Sequence, residues 1–429
     1  MSRVAVIGTG YVGLTTGACL AHLGHQVICA DIDPVKIELL QSGQIPIYEP
    51  GLEDLVQEGL ATRRLSFVLG AAGAVPDAEF VFLCVPTPQM ADGTADLTYI
   101  QQATVEIASV CASDAIVINK STVPVGSTHV VERVLERNDI AVVSNPEFLR
   151  EGQSVHDCLH PERIVIGSDD QAAAIRVAGL YEGIAAPLIV TDPTTAETIK
   201  YACNAFLATK LSFINAVANL CQAVSADVRD VILGMGYDKR IGFEFLKPGP
   251  GWGGSCLPKD SRALLRIAED HGYRFDLLAG VIAVNDDQLD LVASRIERLA
   301  GGDLQGVRVA VWGLTFKADT DDLRDSPALQ VVERLQRRGA AVRAYDPTVD
   351  GQISRLPGGP SFDVCQDAYA ACVDARVLAV LTEWDEFRWV DFAKVSEAMA
   401  APTILDARNL LDPGPLRRKG FRYEGMGRN

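Results

Sequence analysis

The chain has 429 residues, with 56 acidic against 39 basic side chains and a net charge of −17. That balance argues against a broad nucleic-acid or anionic-membrane surface, so any phosphate must be held by local cations and backbone amides. Hydrophobic residues make up 48% and charged residues 22%, an ordinary globular composition with enough length for two or three domains.

The N-terminus enters a strand at once, Val4-Ala5-Val6-Ile7, and no signal peptide is read there. No apolar run approaches a membrane span. The ten cysteines form no Cys-x-x-Cys pair, and Cys29, Cys84, Cys203 and Cys221 sit in apolar runs. They read as reduced core thiols, and the chain is expected to be cytoplasmic. No histidine has metal-ligand spacing, and no metal is expected.

Over the first ~190 residues short apolar runs alternate with helical patterns, the signature of a parallel sheet with crossover helices. Strands are predicted at Val4–Gly8, Gln26–Ala30, Phe80–Val85, Ala115–Lys120, Ile140–Ser144 and Ile164–Gly167. The first strand runs into Gly8-Thr9-Gly10-Tyr11-Val12-Gly13, which opens a helix. In that context the glycines allow a tight turn, close approach of a pyrophosphate and helix–strand packing. Asp31 ends the second strand eighteen residues beyond Gly13. A carboxylate there accepts from a ribose 2′-hydroxyl, which selects NAD over NADP.

A long helix is predicted from about Thr195 to Val224, apolar nearly all round and so expected to be buried on several sides. Within it Lys200 and Asn204 lie four apart on one face. A lysine in such surroundings requires a carboxylate, a ligand or water, and a ligand is the favoured reading over a structural ion pair. Asn145-Pro146-Glu147-Phe148-Leu149-Arg150-Glu151, Thr122 and Thr87 follow strand ends, where α/β sheets hold ligands.

The stretch Gly249-Pro250-Gly251-Trp252-Gly253-Gly254-Ser255-Cys256-Leu257-Pro258-Lys259-Asp260 places a thiol at the end of a glycine-rich loop, before a helical pattern over Ser261–Ala268. A helix start and the Lys259 cation both favour thiolate, the form that attacks carbonyls. Asp260 falls one turn after Cys256. After a linker at Gly301-Gly302-Asp303, Val309-Ala310-Val311-Trp312-Gly313 and Gly339–Asp346 echo Val4–Gly8 and Gly24–Asp31. Lys317 stands where the later glycines of the first turn would be, as counter-charge for a different phosphate ligand. The basic tail Arg417–Asn429 receives no role. The predicted fold is α/β, two Rossmann-like parallel-sheet domains joined by a central helical domain with a long helix. The boundaries read are 1–192 (NAD-binding), 193–300 (central helical, with the Cys loop) and 301–429 (second Rossmann-like domain).

On these residues the chain resembles the UDP-glucose/GDP-mannose dehydrogenase family over essentially its whole length. The matching stretches are Gly8–Gly13, Cys84–Pro88, Ser121–Gly126, Asn145–Gly152, Glu197–Asn204, Phe245–Asp260 and Gly313–Pro327. Lys200–Lys210 and Arg240–Gly242 look like the branch that oxidises UDP-glucose. The resemblance implies an NAD-dependent four-electron oxidation of UDP-glucose to UDP-glucuronate, a precursor for polysaccharide synthesis. It implies a thiohemiacetal and then a thioester on Cys256, with two NAD+ used per sugar. Lys200, Asn204 and Asp260 would hold water and stabilise oxyanions; Glu147, helped by Thr122, would assist thioester hydrolysis. Gly8, Gly10, Tyr11, Val12, Gly13, Asp31, Lys36, Thr87, Thr122, Glu151, Lys259 and Arg324 would meet the cofactor.

The sugar nucleotide would meet Glu147–Glu151, Lys200, Asn204, Phe245, Leu246, Lys247, Pro248, Gly249, Gly253, Lys317 and Arg408. Arg240 would come from a neighbouring subunit, in a homodimer built on the long helix. Trp252 stands where the family often has a smaller aromatic, and Ala407 precedes Arg408 where glycine is frequent. The rival readings are the same chemistry on GDP-mannose or a UDP-N-acetylhexosamine, a two-electron hydroxyacid-type dehydrogenase, and a non-catalytic NAD sensor. Cys256 separates the first from the other two.

Overall fold

The structure, a computed structural model, describes residues 1–90, 93–349 and 362–428. The chain divides into two compact units, residues 1–203 with 262–272, and residues 204–261 with 273–429.

The first unit is built on eight strands: β1 (Arg3–Ile7), β2 (Gln26–Asp31), β3 (Leu65–Leu69), β4 (Phe80–Leu83), β5 (Ile116–Asn119), β6 (Ala141–Ser144), β7 (Ile164–Gly167) and β8 (Leu188–Thr191). They lie in the order β3-β2-β1-β4-β5-β6-β7-β8. The first six pair in parallel, β6 meets β7 antiparallel at Ser144–Gly167, and β8 continues parallel to β7. Central strands such as β4 and β5 are buried on both faces, which is why they read as unbroken apolar runs. Leu14, Phe82, Ile116 and Ile118 pack on one face of the sheet, and Val81, Val117, Ile100 and Ile107 on the other. Each such side chain contributes roughly 1.5–3 kcal/mol of burial.

The second unit carries β9 (Arg308–Trp312), β10 (Ala341–Tyr345), β11 (Asp363–Val364), β12 (Val377–Val380), β13 (Thr403–Asp406) and β14 (Arg422–Gly425). The order β11-β10-β9-β12-β13-β14, all parallel, repeats the strand order of the first six strands. In both sheets the order reverses between the first and fourth strands, the switch point at which open α/β sheets bind ligands. The tail given no role in the sequence is an edge strand: Tyr423, buried, donates its hydroxyl to Asp406 Oδ2 at 2.9 Å.

The helical region comprises Pro193–Val224, Val228–Gly236, Leu257–Asp270 and Asp276–Ala300. The long helix starts two residues earlier than predicted, on Pro193, because proline has no N–H to lose in a first turn. It is not buried all round. Ile214 and Ala218 are fully covered, whereas Phe206, Phe213 and Leu220 are 65%, 53% and 60% exposed in the single chain. The helix Asp276–Ala300 stops at Gly301, whose φ of +112° suits the left-handed cap.

Candidate active site

In the first unit, β1 delivers the glycine turn. Gly8 has φ +98° and donates its N–H to Ala30 O at 2.7 Å; a Cβ there would stand 2.5 Å from the Cys84 carbonyl oxygen. A Cβ on Gly13 would overlap the Gly8 carbonyl. Gly10 is different: it is exposed, and nothing lies within 4 Å of where its Cβ would be. Two glycines are thus demanded by packing, while the third leaves open space at the N-terminus of the helix Tyr11–His22, whose amides attract phosphate. Tyr11 and Val12 are half-buried in its first turn.

Asp31, at the end of β2, accepts from Thr9 N at 2.9 Å, Thr9 Oγ1 at 2.6 Å and Lys36 Nζ at 3.1 Å. Burial pushes its carboxyl up, but these bonds and the Asp33 N–H hold it below the ordinary carboxylate range. The open turn and the ionised acid fit a dinucleotide with a free 2′-hydroxyl.

The loops after β4 and β5 meet: Thr87 Oγ1 donates to Thr122 O at 2.7 Å. The loop after β6 carries Glu147, which is buried together with Lys200. Lys200 Nζ donates to Glu147 Oε1 at 2.7 Å, and Leu149 N donates to Glu147 Oε2 at 2.6 Å. Lys200 therefore has a carboxylate partner, as the ion-pair reading required, and that carboxylate is itself a predicted site residue. Burial raises the Glu147 carboxyl, yet the Lys200 ammonium, the Leu149 N–H and the charge on Lys120 outweigh it, so Glu147 stays ionised below its usual range.

Phe148 lies under the Arg163 guanidinium at 3.6 Å. Arg150 forks onto Asp157 at 2.8 and 2.6 Å, and Glu49 accepts from Gly152 N and Ser154 N at 2.7 and 2.8 Å, fixing the turn on either side of the half-buried Glu151.

Sequence reading missed Lys120, which is buried with its ammonium 3.1 Å from Asn145 Oδ1 and 3.4 Å from Tyr181 Oη. Burial lowers its pKa, but Tyr181, Cys158, Cys84 and Glu147 around it raise it further, so the cation persists. A lone lysine after a strand gave no signal of this.

In the second unit the helix carrying the thiol begins at Leu257, not Ser261: Asp260 N donates to Cys256 O at 2.9 Å, so Cys256 stands at the helix cap. Pro258 is tolerated because it falls in the first turn. Cys256 is partly exposed, with Ser255 Oγ 3.5 Å from its sulfur. Asp260 is fully buried and shared: Asn204 Nδ2 donates to Oδ2 at 2.5 Å and Lys259 Nζ to Oδ1 at 2.6 Å. The long helix thus contributes Lys200 to the first unit and Asn204 to the second.

The glycines of the loop are structural necessities: Gly254 has φ +83°, and a Cβ on Gly253 would overlap the Asp325 carbonyl. Phe245 holds φ +61°, an outlier for an aromatic residue. Leu246 and Pro248 are buried, and Lys247 is exposed.

After β9 and β13 the switch point of the second sheet presents Lys317 and Arg408. Arg408 donates Nε to Leu381 O at 2.8 Å and Nη2 to Phe316 O at 3.1 Å, and Glu383 lies 3.0 Å from Nε. Its Nη1 would stand 3.0 Å from a Cβ on Gly249, so the start of the Cys256 loop lies against Arg408. Arg324 forks onto buried Asp322 at 2.9 and 2.7 Å. Arg240 is exposed, its guanidinium on Asp238 at 3.0 and 2.6 Å. Among the described residues no His, Cys, Asp and Glu cluster is placed to hold a metal ion, and no helix is long and apolar enough to cross a membrane.

Residues 2–185, 194–287 and 310–413 match, in turn, the NAD binding, central and UDP binding domains of the UDP-glucose/GDP-mannose dehydrogenase family. The chain is 45% identical over 436 residues to the UDP-glucose 6-dehydrogenase of Rhizobium meliloti (strain 1021), covering 99% of each. It is 43% identical to UDP-glucose 6-dehydrogenase TuaD of Bacillus subtilis (strain 168), covering 100% of this chain and 94% of that protein. A solved UDP-glucose dehydrogenase from the archaeon Pyrobaculum islandicum superposes with TM-score 0.93 at 35% identity, covering 100% of this chain and 98% of that one. The chain belongs to the UDP-glucose/GDP-mannose dehydrogenase family and is an NAD-dependent nucleotide-sugar dehydrogenase.

Proposed function

We propose that the chain oxidises UDP-glucose to UDP-glucuronate in two successive two-electron steps, with a covalent intermediate on Cys256. The observation that carries this reading is the thiol at the cap of Leu257–Asp270, one turn from a fully buried carboxylate shared by Asn204 and Lys259. A two-electron alcohol oxidation has no use for a nucleophile placed so.

Bound NAD+ supplies the hydride acceptor, and two are used per sugar. The first hydride leaves C6 and the hydroxyl proton departs, giving an aldehyde. The Cys256 thiolate adds to the aldehyde carbon, and the oxygen becomes that of a thiohemiacetal. Loss of the second hydride yields a thioester. Water adds to its carbonyl, the carbon–sulfur bond breaks, and the acid leaves with the thiol restored. Lys200, Asn204 and Asp260 are assigned to hold water and to stabilise the oxyanions. Glu147, ionised and hydrogen-bonded, assists water attack, with Thr122 beside it in this assignment.

The cofactor is assigned to Gly8, Gly10, Tyr11, Val12, Gly13, Asp31, Lys36, Thr87, Thr122, Glu151, Lys259 and Arg324. The sugar nucleotide is assigned to residues 147–151, 245–249, Gly253, Lys200, Asn204, Lys317 and Arg408. Residues 1–192, 193–300 and 301–429 are the functional domains in this reading. Phe206, Phe213, Leu220 and Val224 recur along one exposed stripe of the long helix, which supports a homodimer; Arg240 is assigned to the partner's site on the family resemblance. Ten cysteines, none of them in a disulfide, suit a reducing compartment, and the cytoplasm is part of the proposal.

The test is to count NADH formed per sugar consumed for UDP-glucose, GDP-mannose and UDP-N-acetylhexosamines. Two NADH from UDP-glucose, lost in Cys256→Ser, supports the reading. Two NADH only from another sugar moves the substrate and keeps the chemistry; one NADH with the serine variant unaffected overturns it.

A further inference from the structure

The loop that ends at Cys256 is held by carboxamides that the chemistry above does not use, all within the second unit. Asn285 and Gln288 lie one turn apart on the helix Asp276–Ala300, and Asn215 lies on the long helix; each is at least nine-tenths buried. Asn285 accepts from Trp252 N at 2.7 Å through Oδ1 and donates Nδ2 to Trp252 O at 3.0 Å, so one side chain satisfies both backbone groups of that residue. Gln288 donates Nε2 to Gly249 O at 2.8 Å, while Asn215 Oδ1 accepts from Gly249 N at 2.8 Å. The network continues outward, with Asn219 Nδ2 donating to Gln288 Oε1 at 2.8 Å and Arg295 Nη2 to Asn219 Oδ1 at 3.2 Å. The Trp252 indole donates to Ser212 Oγ at 2.9 Å.

The backbone of this loop has little intrinsic preference for the path it takes. Gly251 has φ +140° and Gly254 φ +83°, conformations glycine shares with many others in solution. No regular backbone ladder crosses the stretch; the carboxamides stand in its place. Only Gly253, Gly254 and Ser255 separate the Trp252 clamp from Cys256. A Cβ on Gly251 would stand 3.0 Å from Asn285 Oδ1, so the clamp seats against the bare glycine.

We infer that Asn285, with Gln288 and Asn215, is a positioning residue that sets the path of residues 249–252 and thereby the approach of the Cys256 thiol to the carbonyl carbon it attacks. The inference rests on the proposed covalent reaction only for its kinetic consequence; the geometry of the thiol is testable without it. Asn285→Asp keeps the shape and the acceptor for Trp252 N but, when ionised, cannot donate to Trp252 O. When protonated, it can.

The experiment uses the full-length protein and compares Asn285→Asp, Asn285→Ala and Gln288→Met with the parent. The rate of Cys256 alkylation by iodoacetamide is followed by peptide mass spectrometry, alongside kcat, KM for UDP-glucose and melting temperature. The expected result is a several-fold change in Cys256 alkylation and a fall of at least tenfold or so in kcat with KM changed far less, since misplacement by about 1 Å costs up to ~100-fold. Asn285→Asp alone should regain activity as pH falls through the titration of the new carboxyl, a response that generic loosening does not give. Should Asn285→Ala fail to fold, Asn285→Asp and Gln288→Met carry the test. Parent-like alkylation and kcat in the folded variants would overturn the inference, as would losses that follow melting temperature with the parent's pH profile. If Cys256→Ser retains full turnover the covalent reading fails, and the alkylation rates still decide whether the clamp exists.

Discussion

Lys200→Met removes the cation that faces Glu147 and leaves the carboxylate in place. At 2.7 Å the pair attracts with about 6 kcal/mol at an effective dielectric of ~20. Most of this offsets the cost of taking both charges out of water, so the pair's net worth is small, but removing one partner alone is expensive, about 3–5 kcal/mol. The double change Glu147→Gln with Lys200→Met should recover most of that loss, giving a large coupling in the cycle.

The pH dependence follows from the direction of the shift. In the parent the folded Glu147 pKa lies below its ordinary value, so its contribution to stability is present above the unfolded pKa and disappears as pH falls through the folded one. Without Lys200 the two largest counterweights to burial are gone, and burial is expected to outweigh the remaining Leu149 N–H and Lys120 and lift the folded pKa above the unfolded one. The charge then costs stability at neutral pH, and acid relieves the cost. The gap between parent and Lys200→Met should therefore be widest near pH 7–8 and narrow toward about pH 5.

Urea unfolding read by far-UV circular dichroism follows both units. Tryptophan fluorescence follows the second, because Trp252, Trp312, Trp384 and Trp389 all lie there. A loss under ~1 kcal/mol, the range of an exposed pair, or a gap independent of pH would mean that the pair is not buried and coupled in this way.

Asp31→Ala removes an ionised acceptor worth about 1.5–3 kcal/mol, so KM for NAD should rise by one to two orders of magnitude and the preference over NADP should shrink in steady-state assays. Gly10→Ala should leave the melting temperature near that of the parent while weakening NAD binding, because only open space meets its Cβ. Gly13→Ala should lower both, because its Cβ meets the Gly8 carbonyl; equal behaviour of the two variants would contradict the assignment. Phe206→Glu with Phe213→Glu should shift the mass in light scattering from dimer to monomer, and an unchanged mass would remove the long helix as the interface.

In the first unit much of the fold was legible in the sequence where burial is two-sided. β4 and β7, β1 beyond Arg3 and β5 up to Asn119 are apolar runs because both faces are covered. Of the strands that escaped reading, β3, β8, β11 and β14 are edges, whereas β12 and β13 lie inside the second sheet, buried on both faces, and were passed over. β3 alternates buried and exposed residues, β8 is exposed along Leu188–Val190, and β14 opens on an exposed arginine in a basic tail. In these strands, pairing with a neighbour and not apolar content makes the strand.

The glycine turn, Asp31 and the thiol loop were visible because each needs a residue type rare at that place. Asn215, Asn285 and Gln288 were not. A polar residue on an amphipathic helix looks the same whether it faces water or a loop, and only the folded loop tells them apart. Lys120 escaped for the same reason, since its partners Asn145 and Tyr181 lie 25 and 61 residues away.

In the proposed reaction Cys256 forms a covalent bond to the sugar's C6. Intact-protein and peptide mass spectrometry of Glu147→Gln, quenched in acid during turnover with UDP-glucose and NAD+, tests it directly. An adduct of the mass of the acylating nucleotide sugar is expected, confined to the Cys256 peptide and absent in the variant that also carries Cys256→Ser. An unmodified Cys256 in a variant that has released NADH but is stalled before the acid would contradict it.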